Sequence, residues 1–135
     1  MTETKELRDM MEKEVIDPAA LRKLLDLLGG DPEDLDELLA DYFDEAPRLS
    51  ASIARAATDG DTDALRISAH TLKSNARDFG AELLASLCAE LEQVCRQGDL
   101  TNATDLAQCI HTEEIAARDA LRRIDSHELS RTTTG

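Results

Sequence analysis

The chain has 135 residues, of which 41% are hydrophobic, and a formal net charge of −14 at pH 7. This length suits one domain with a modest core. The charge argues against a nucleic-acid partner and against binding to an anionic membrane surface, because both would repel the protein. Aromatic residues make up only 2% of the chain, so the core must be built from Leu, Ile, Val and Ala, a composition that favours helices over sheets.

Targeting signals are absent from the sequence. Residues 1–14 contain no apolar segment typical of a signal peptide, and no apolar run of about 18 residues could span a membrane. We therefore expect a cytoplasmic protein, and the initial Met favours a stand-alone chain. The three cysteines, Cys88, Cys95 and Cys109, are an odd number and are expected to be reduced thiols.

The first helix signals lie in the N-terminal half. Asp17 is followed by Pro, which predicts an N-cap and a first helical residue, and two glycines at 29–30 predict the end of that helix. Asp31 followed by Pro repeats the start signal. The apolar spacing after it predicts a long amphipathic helix, in which Pro47 predicts a kink or a local break.

Three more helices are predicted in the C-terminal half. Gly60 ends the long helix, Asp61 caps the next, and that helix continues to about Phe79. A second apolar stripe ends near Gly98, and a third runs to Ile124. The alternation typical of β-strands does not occur in the sequence.

These elements predict an all-α protein, an antiparallel up-down four-helix bundle with an additional short N-terminal helix. Four amphipathic helices joined by short turns bury their apolar faces against one another, and the helix at 17–28 would lie across one end. The bundle is predicted to span residues 17–125. Residues 1–16 are predicted to be an extension that can form a helix, and the polar residues 126–135 a disordered tail.

One segment departs from the acidic character of the chain. Residues 64–77 contain no Asp or Glu, and His70 lies among three basic residues. At 3.6 residues per turn, His70 lies roughly 140° from the middle of the apolar stripe, so it is predicted to face solvent. Arg66, Lys73, Ser74 and Arg77 stand at −4, +3, +4 and +7 from it and are predicted to share its face.

Two interpretations of this segment are open. One is a solvated helix face that carries a histidine without a role. The other is chemical: a neutral imidazole can attack phosphorus, and neighbouring Lys and Arg would stabilise the phosphoramidate that forms. The sequence has no Gly-rich ATP-binding loop and no kinase-type carboxylate set. On the chemical interpretation, another protein would have to supply the phosphoryl group, and the chain would be a phosphotransfer intermediate without kinase activity.

The residues around His70 resemble a family signature. The sequence His-Thr-Leu-Lys at 70–73 is followed by Gly-Ala at 80–81, Leu84, Leu-Cys at 87–88 and Leu-Glu at 91–92. This pattern resembles the histidine-containing phosphotransfer (HPt) domain, and the similarity spans about residues 17–124. The resemblance implies a four-helix-bundle phosphocarrier of a two-component phosphorelay. Its histidine would accept a phosphoryl group from a receiver-domain aspartate, or from a histidine kinase system, and pass it to another receiver.

The resemblance also implies roles for single residues. By position, His70 would be the phosphorylated residue and Lys73 the cation that stabilises the phosphoryl group. Gly80 would be the small residue that allows close helix approach near the site. Ser74 stands where the family commonly has Gly, and it would narrow the range of partners or add a hydrogen bond.

The implied partners are receiver domains of response regulators or hybrid histidine kinases. A receiver's active site groups carboxylates around a divalent metal, so Mg²⁺ is expected on the partner and no cofactor on this chain. The predicted docking residues are Arg66, Ile67, Ser74 and Arg77, and the positive charges of the two arginines would orient the encounter. The protein is expected to be a monomer. The alternative function is a helical interaction module that docks a receiver or another signalling partner without carrying phosphate.

Other candidate sites are weaker. Cys109 and His111 are close in sequence, but Cys88 and Cys95 lie seven residues apart on an apolar stripe, so the spacing predicts core packing and no metal site. His127 is predicted to have no role. The acid pairs at 36–37, 44–45 and 113–114 are predicted to face water.

Overall fold

The computed structural model of the protein describes residues 15–133, and these form six helices without a strand. The helices are α1 (Pro18–Leu27), α2 (Pro32–Asp59), α3 (Thr62–Asp78), α4 (Glu82–Gln97), α5 (Ala103–Arg122) and α6 (Ser126–Thr133). The predicted all-α class is confirmed. Within the described part of the chain, the helices are too short or too polar to cross a membrane.

Helices α2 to α5 form the four-helix bundle. Helix α2 packs against α3 and α5, and α4 packs against the same two helices. Short turns join consecutive helices, which makes neighbours antiparallel. The groove between α3 and α4 and the groove between α2 and α5 therefore lie on opposite sides of the bundle. The largest fully buried apolar side chains are Leu and Ile: Leu21, Leu25, Leu35, Ile53, Leu65, Leu72, Leu84, Leu91, Ile110 and Leu121.

The predicted helix ends are confirmed by their capping contacts. The side chains of Asp17 and Asp31 each accept a hydrogen bond of 3.0 Å from the backbone N–H two residues later. The Asp61 side chain accepts one of 3.1 Å from the N–H three residues later. At the C-terminal ends, Gly60 and Gly98 adopt φ values of 68° and 72°, a left-handed conformation that favours glycine.

Pro47 does not break α2, which is continuous from Pro32 to Asp59. Proline removes one backbone donor, so the Phe43 carbonyl loses its usual partner in the helix. The buried face of α2 nevertheless continues on both sides of the proline through Ala46 and Ser50. Packing of this face against the bundle compensates for the lost hydrogen bond, which is why the predicted local break is absent.

Gly80 connects the N-terminal segment to the turn between α3 and α4. Its φ is 79°, its carbonyl accepts a hydrogen bond of 2.9 Å from the Asp17 N–H, and a Cβ added to it would lie 2.5 Å from the Asp17 carbonyl oxygen. Gly80 follows His70 by ten positions, which corresponds to about 15 Å along a helix. The structure shows the close approach expected at Gly80, but the segment that approaches is the start of α1 and the residue preceding it, and the contact is not beside His70.

The predicted disordered tail is wrong for residues 126–133, which form α6. The Asp125 side chain caps this helix by accepting hydrogen bonds from the backbone N–H groups of His127 (3.0 Å) and Glu128 (3.2 Å). Leu129 is only 8% exposed, and α6 packs against α1 and α2. One buried leucine in a polar segment is too weak a pattern to predict a helix from sequence.

The N-terminal boundary of the bundle also differs from the prediction. Ile16 is 3% exposed and belongs to the core, so the packed domain begins before residue 17. Residues 1–14 of the predicted extension lie outside the described residues.

Candidate phosphorylation site

His70 lies on the solvent side of α3, as predicted. Its side chain is 62% exposed, whereas the adjacent Ala69 and the nearby Leu72 are buried in the core. The ring is held at one nitrogen: Nδ1 lies 3.2 Å from Glu92 Oε2 on α4. Within residues 15–133, no hydrogen bond involves Nε2. The exposed nitrogen of the ring is thus the one that another protein can reach.

Glu92 is the central residue of the site, although the sequence analysis named it only as part of a motif. Its side chain is 2% exposed, and three basic side chains contact its carboxylate. Besides the His70 ring, Lys73 Nζ lies 2.6 Å from Oε1 and Arg96 Nη2 lies 3.3 Å from Oε2. These contacts come from two helices, α3 and α4, so the carboxylate joins them beneath the histidine.

The balance of burial and contacts leaves Glu92 ionised. Burial by itself would raise the pKa of Glu92, but the contacts with Lys73 and His70 outweigh it and lower the pKa below its ordinary value. An ionised carboxylate accepts a hydrogen bond from Nδ1–H of the neutral imidazole. The lone pair of that tautomer is then on Nε2. The buried acid therefore selects the nitrogen that is nucleophilic.

Lys73 shares the face of His70 but is less exposed than helical spacing predicts. Its side chain is 16% exposed, because its ammonium group reaches the buried Glu92. The lysine is therefore both a neighbour of the histidine and the partner of a buried charge. The prediction that it stands exposed beside His70 is wrong in this respect.

The four predicted docking residues are exposed around His70. The exposed fraction is 57% for Ile67 and 45% for the Arg66 side chain, and Ser74 and Arg77 are also exposed. Arg66 lies 4.0 Å from Asp63, and the carboxylate of Glu92 contacts His70 from α4. The segment that lacks acids in sequence is therefore not free of them in space. Among the described residues, Arg77 has no carboxylate within ion-pair distance.

A family model settles the family of the chain: the model of the Hpt domain matches residues 37–127. The chain belongs to the Hpt domain family. A curated relative, histidine-containing phosphotransfer protein 2 of Arabidopsis thaliana, is 28% identical to it over 105 residues. That match covers 76% of this chain and 66% of the relative, so the chain spans just under two thirds of the relative's length.

A solved structure has the same fold. The crystal structure of histidine-containing phosphotransfer protein B (HptB) from Pseudomonas aeruginosa PAO1 aligns with a TM-score of 0.73 and 28% sequence identity. The alignment covers 87% of this chain and 96% of that chain. The resemblance to the phosphotransfer family is therefore confirmed.

Two further residues of α4 flank Glu92 in this Hpt domain. Arg96 stands four residues after Glu92 on α4, and this spacing would have predicted the pair had Glu92 been recognised as buried.

Cys88, one turn before Glu92, is fully buried, and burial raises the pKa of its thiol to about 12. Cys88 and Cys95 both lie in the core, which confirms that they are packing residues. Among the described residues, no group of three potential metal ligands occurs.

A second cluster lies on the opposite side of the Hpt domain, between α2 and α5. Glu114 was predicted to face water, which is wrong: it is 1% exposed and accepts hydrogen bonds from Arg118 Nε (2.8 Å) and Nη2 (3.2 Å). Burial raises the pKa of Glu114, and the Arg118 charge opposes this rise. Nearby, His111 Nδ1 lies 3.5 Å from Ser50 Oγ.

Proposed function

We propose that this Hpt domain is a phosphorelay phosphocarrier whose phosphorylated atom is Nε2 of His70. The observation that carries the proposal is an exposed imidazole with its Nδ1 held 3.2 Å from the buried, ionised Glu92. A histidine without a role would not need a buried carboxylate beneath it, since burying a charge costs free energy. The same observation favours a phosphocarrier over a module that docks a partner without carrying phosphate.

The transfer uses the two ring nitrogens differently. The Nε2 lone pair attacks the phosphorus of a receiver's aspartyl phosphate, the P–N bond forms, and the P–O bond to the aspartate breaks as its carboxylate leaves. The Nδ1 proton stays on the ring and is shared with Glu92, so the positive charge that develops on the imidazole faces a carboxylate. In the second half of the relay, an aspartate oxygen of another receiver attacks phosphorus and the P–N bond breaks.

The neighbouring cations have separate roles in this proposal. Lys73 and Arg96 neutralise Glu92 and add positive charge beside the phosphoryl group, whose oxygens are anionic. Arg66 and Arg77 lie further along the exposed face and would orient an acidic receiver surface, with Ile67 supplying apolar contact and Ser74 polar contact. The receiver would supply its own carboxylates and Mg²⁺, and this chain would need no cofactor.

The test is phosphoryl transfer from a receiver domain that carries a labelled aspartyl phosphate. Wild-type protein should acquire label that is lost in acid and stable in alkali, as a phosphoramidate is. His70→Gln, which keeps the side-chain size, should acquire none. His111→Gln is the matched control and should be labelled like wild type. Undiminished label on His70→Gln would contradict the proposal. A wild-type chain that binds receivers but is never labelled would support the interaction module instead.

A further inference from the structure

A cavity of about 410 Å³ lies between α2 and α5, on the side of the bundle opposite His70. Its α2 wall is made of small or apolar residues, including Pro47, Ala51 and Ala54. His111 and the Glu114–Arg118 pair line the α5 side. The volume lies within the range of about 300–1,000 Å³ that is usual for small-molecule sites. The cavity combines an apolar wall with a few polar groups, which is the usual composition of such sites.

Hydrogen-bond donors are available in this cavity. Arg118 uses Nε and Nη2 on the Glu114 carboxylate, and within residues 15–133 no hydrogen bond involves its Nη1. Its side chain is 22% exposed, so a ligand can reach the guanidinium. His111 contacts Ser50 through Nδ1, which leaves Nε2 to a ligand. The Glu114 carboxylate already accepts two hydrogen bonds from Arg118, and Nη1 of Arg118 remains as a charged donor for a ligand.

The cavity is less negative than most of this acidic protein. Among the described residues, the charged side chains that line it are Arg118 and Glu114, which balance each other, and Arg122 is near enough on the same helix to act on Glu114. The whole protein carries a net charge of −14. A lining that is close to neutral therefore repels an anion less than the surrounding surface does.

We propose that this cavity binds a small organic anion. The anionic head, a carboxylate or a phosphate monoester, contacts Arg118 and His111, and the apolar body of the ligand packs on Pro47, Ala51 and Ala54. The ligand is larger than a bare inorganic ion, because the cavity has room for a body of many heavy atoms. The site does not depend on the phosphocarrier role of His70, since the two grooves lie on opposite sides of the bundle.

The test is an NMR titration of the ¹⁵N-labelled protein with benzoate, phenyl phosphate and benzyl alcohol. Both anions should shift backbone amide signals of residues 50–54 and 107–118, and the uncharged benzyl alcohol should not. The ratio of the two anion affinities distinguishes a carboxylate site from a phosphate site. The double variant Ala51→Leu/Ala54→Leu fills the cavity with exposed side chains and should weaken anion binding by about tenfold or more.

Ala40→Leu is the matched control, because Ala40 is also an exposed alanine of α2 and does not line the cavity. It should bind both anions like wild type. The proposal is overturned if wild type shows no shifts at tens-of-millimolar anion, or if the shifts map to the residues around His70. It is equally overturned if benzyl alcohol gives the same shifts, or if the filled variant binds as tightly as Ala40→Leu.

Discussion

Glu92 and Glu114 occupy matching positions on opposite sides of the bundle, and their surroundings differ in one respect. Each side chain is at most 2% exposed, and each is followed four residues later by an arginine that contacts it. Among the described residues, Glu114 accepts side-chain hydrogen bonds only from Arg118 of its own helix, and burial raises its pKa. Glu92 is also contacted from α3 by Lys73 and His70, and its pKa is lowered.

In this bundle, contacts from a second helix account for which of the two buried carboxylates is stabilised as an anion. Partners on the same helix are available to both residues, and they do not offset burial at Glu114. Contacts from α3 offset it at Glu92. In the proposed transfer, a carboxylate that stays ionised would hold Nδ1–H of His70 and share the charge that develops on the ring.

The largest expected effect is on stability, when the arginine of each pair is removed. Arg118→Ala leaves Glu114 buried without its hydrogen-bond donor, so we expect a loss of about 3 kcal/mol in the free energy of unfolding. Arg96→Ala leaves Glu92 with Lys73 and His70. Since the Arg96 side chain is 60% exposed, its loss should cost about 1 kcal/mol or less. Urea unfolding of both variants at pH 7 measures the difference. Equal losses would show that the contacts from α3 do not stabilise Glu92.

The next largest effect is expected for Lys73, which contacts Glu92 between α3 and α4 and has no counterpart at Glu114 among the described residues. Lys73→Ala removes a charged contact with Glu92 that is worth about 1.5–3 kcal/mol. If this contact acts in the transition state, its loss lowers the transfer rate by roughly tenfold to a hundredfold. We expect transfer from a phosphorylated receiver to slow by this factor, together with some loss of stability. His111→Gln is the control that should leave the transfer rate unchanged. A normal rate for Lys73→Ala would assign the lysine a purely structural role.

The pH dependence of stability should have opposite signs for the two acids. The folded-state pKa of Glu92 lies below its ordinary value of 4.5, so its contribution is present above pH 4.5 and is lost as pH falls through the folded pKa. The folded-state pKa of Glu114 lies above 4.5, so its contribution is present below pH 4.5 and is lost as pH rises through the folded pKa.

Replacing each acid with Gln should therefore remove a different part of the pH profile. In Glu92→Gln, the free energy of unfolding should fall less than in wild type as pH is lowered below 4.5. In Glu114→Gln, it should fall less than in wild type as pH is raised above 4.5. We expect differences from wild type of roughly 1 kcal/mol within each window. Urea unfolding between pH 3 and pH 8, on the scale of the ordinary carboxyl pKa, measures both. Identical profiles for the two variants would mean that the two environments do not differ as described.

The smallest effect is expected at the exposed edge of the site. Arg77→Glu should slow association with a receiver by a few-fold at low salt, and the difference from wild type should shrink as salt rises. The dissociation rate should change less. Arg55→Glu, a charge reversal at an exposed position of α2, is the control for the change in net charge. Stopped-flow binding at two ionic strengths measures the rates. Association that is insensitive to both salt and Arg77→Glu would exclude this face from docking.

Much of the fold was predictable because its signals are local. Asp17, Asp31 and Asp61 cap helices through hydrogen bonds to N–H groups two or three residues later, so the sequence around each start contains the whole interaction. Glycine at a helix end needs no partner from elsewhere. The local rules fail at Pro47 and in residues 126–133, where packing against other helices compensates for a missing hydrogen bond or for a weak apolar pattern.

The exposed position of His70 among basic residues was predictable from helical periodicity, because exposure depends on spacing along one helix. The match of its surroundings to the Hpt signature was also visible in the sequence, as a resemblance. What lies beneath the histidine depends on tertiary packing. Glu92 is 22 residues away, and its contact with Nδ1 depends on the register between α3 and α4. That register comes from the packing of the core. Helical spacing alone places Glu92 on the apolar stripe with Cys88 and Cys95, but no local pattern predicts which lysine it pairs with or which nitrogen of His70 it contacts.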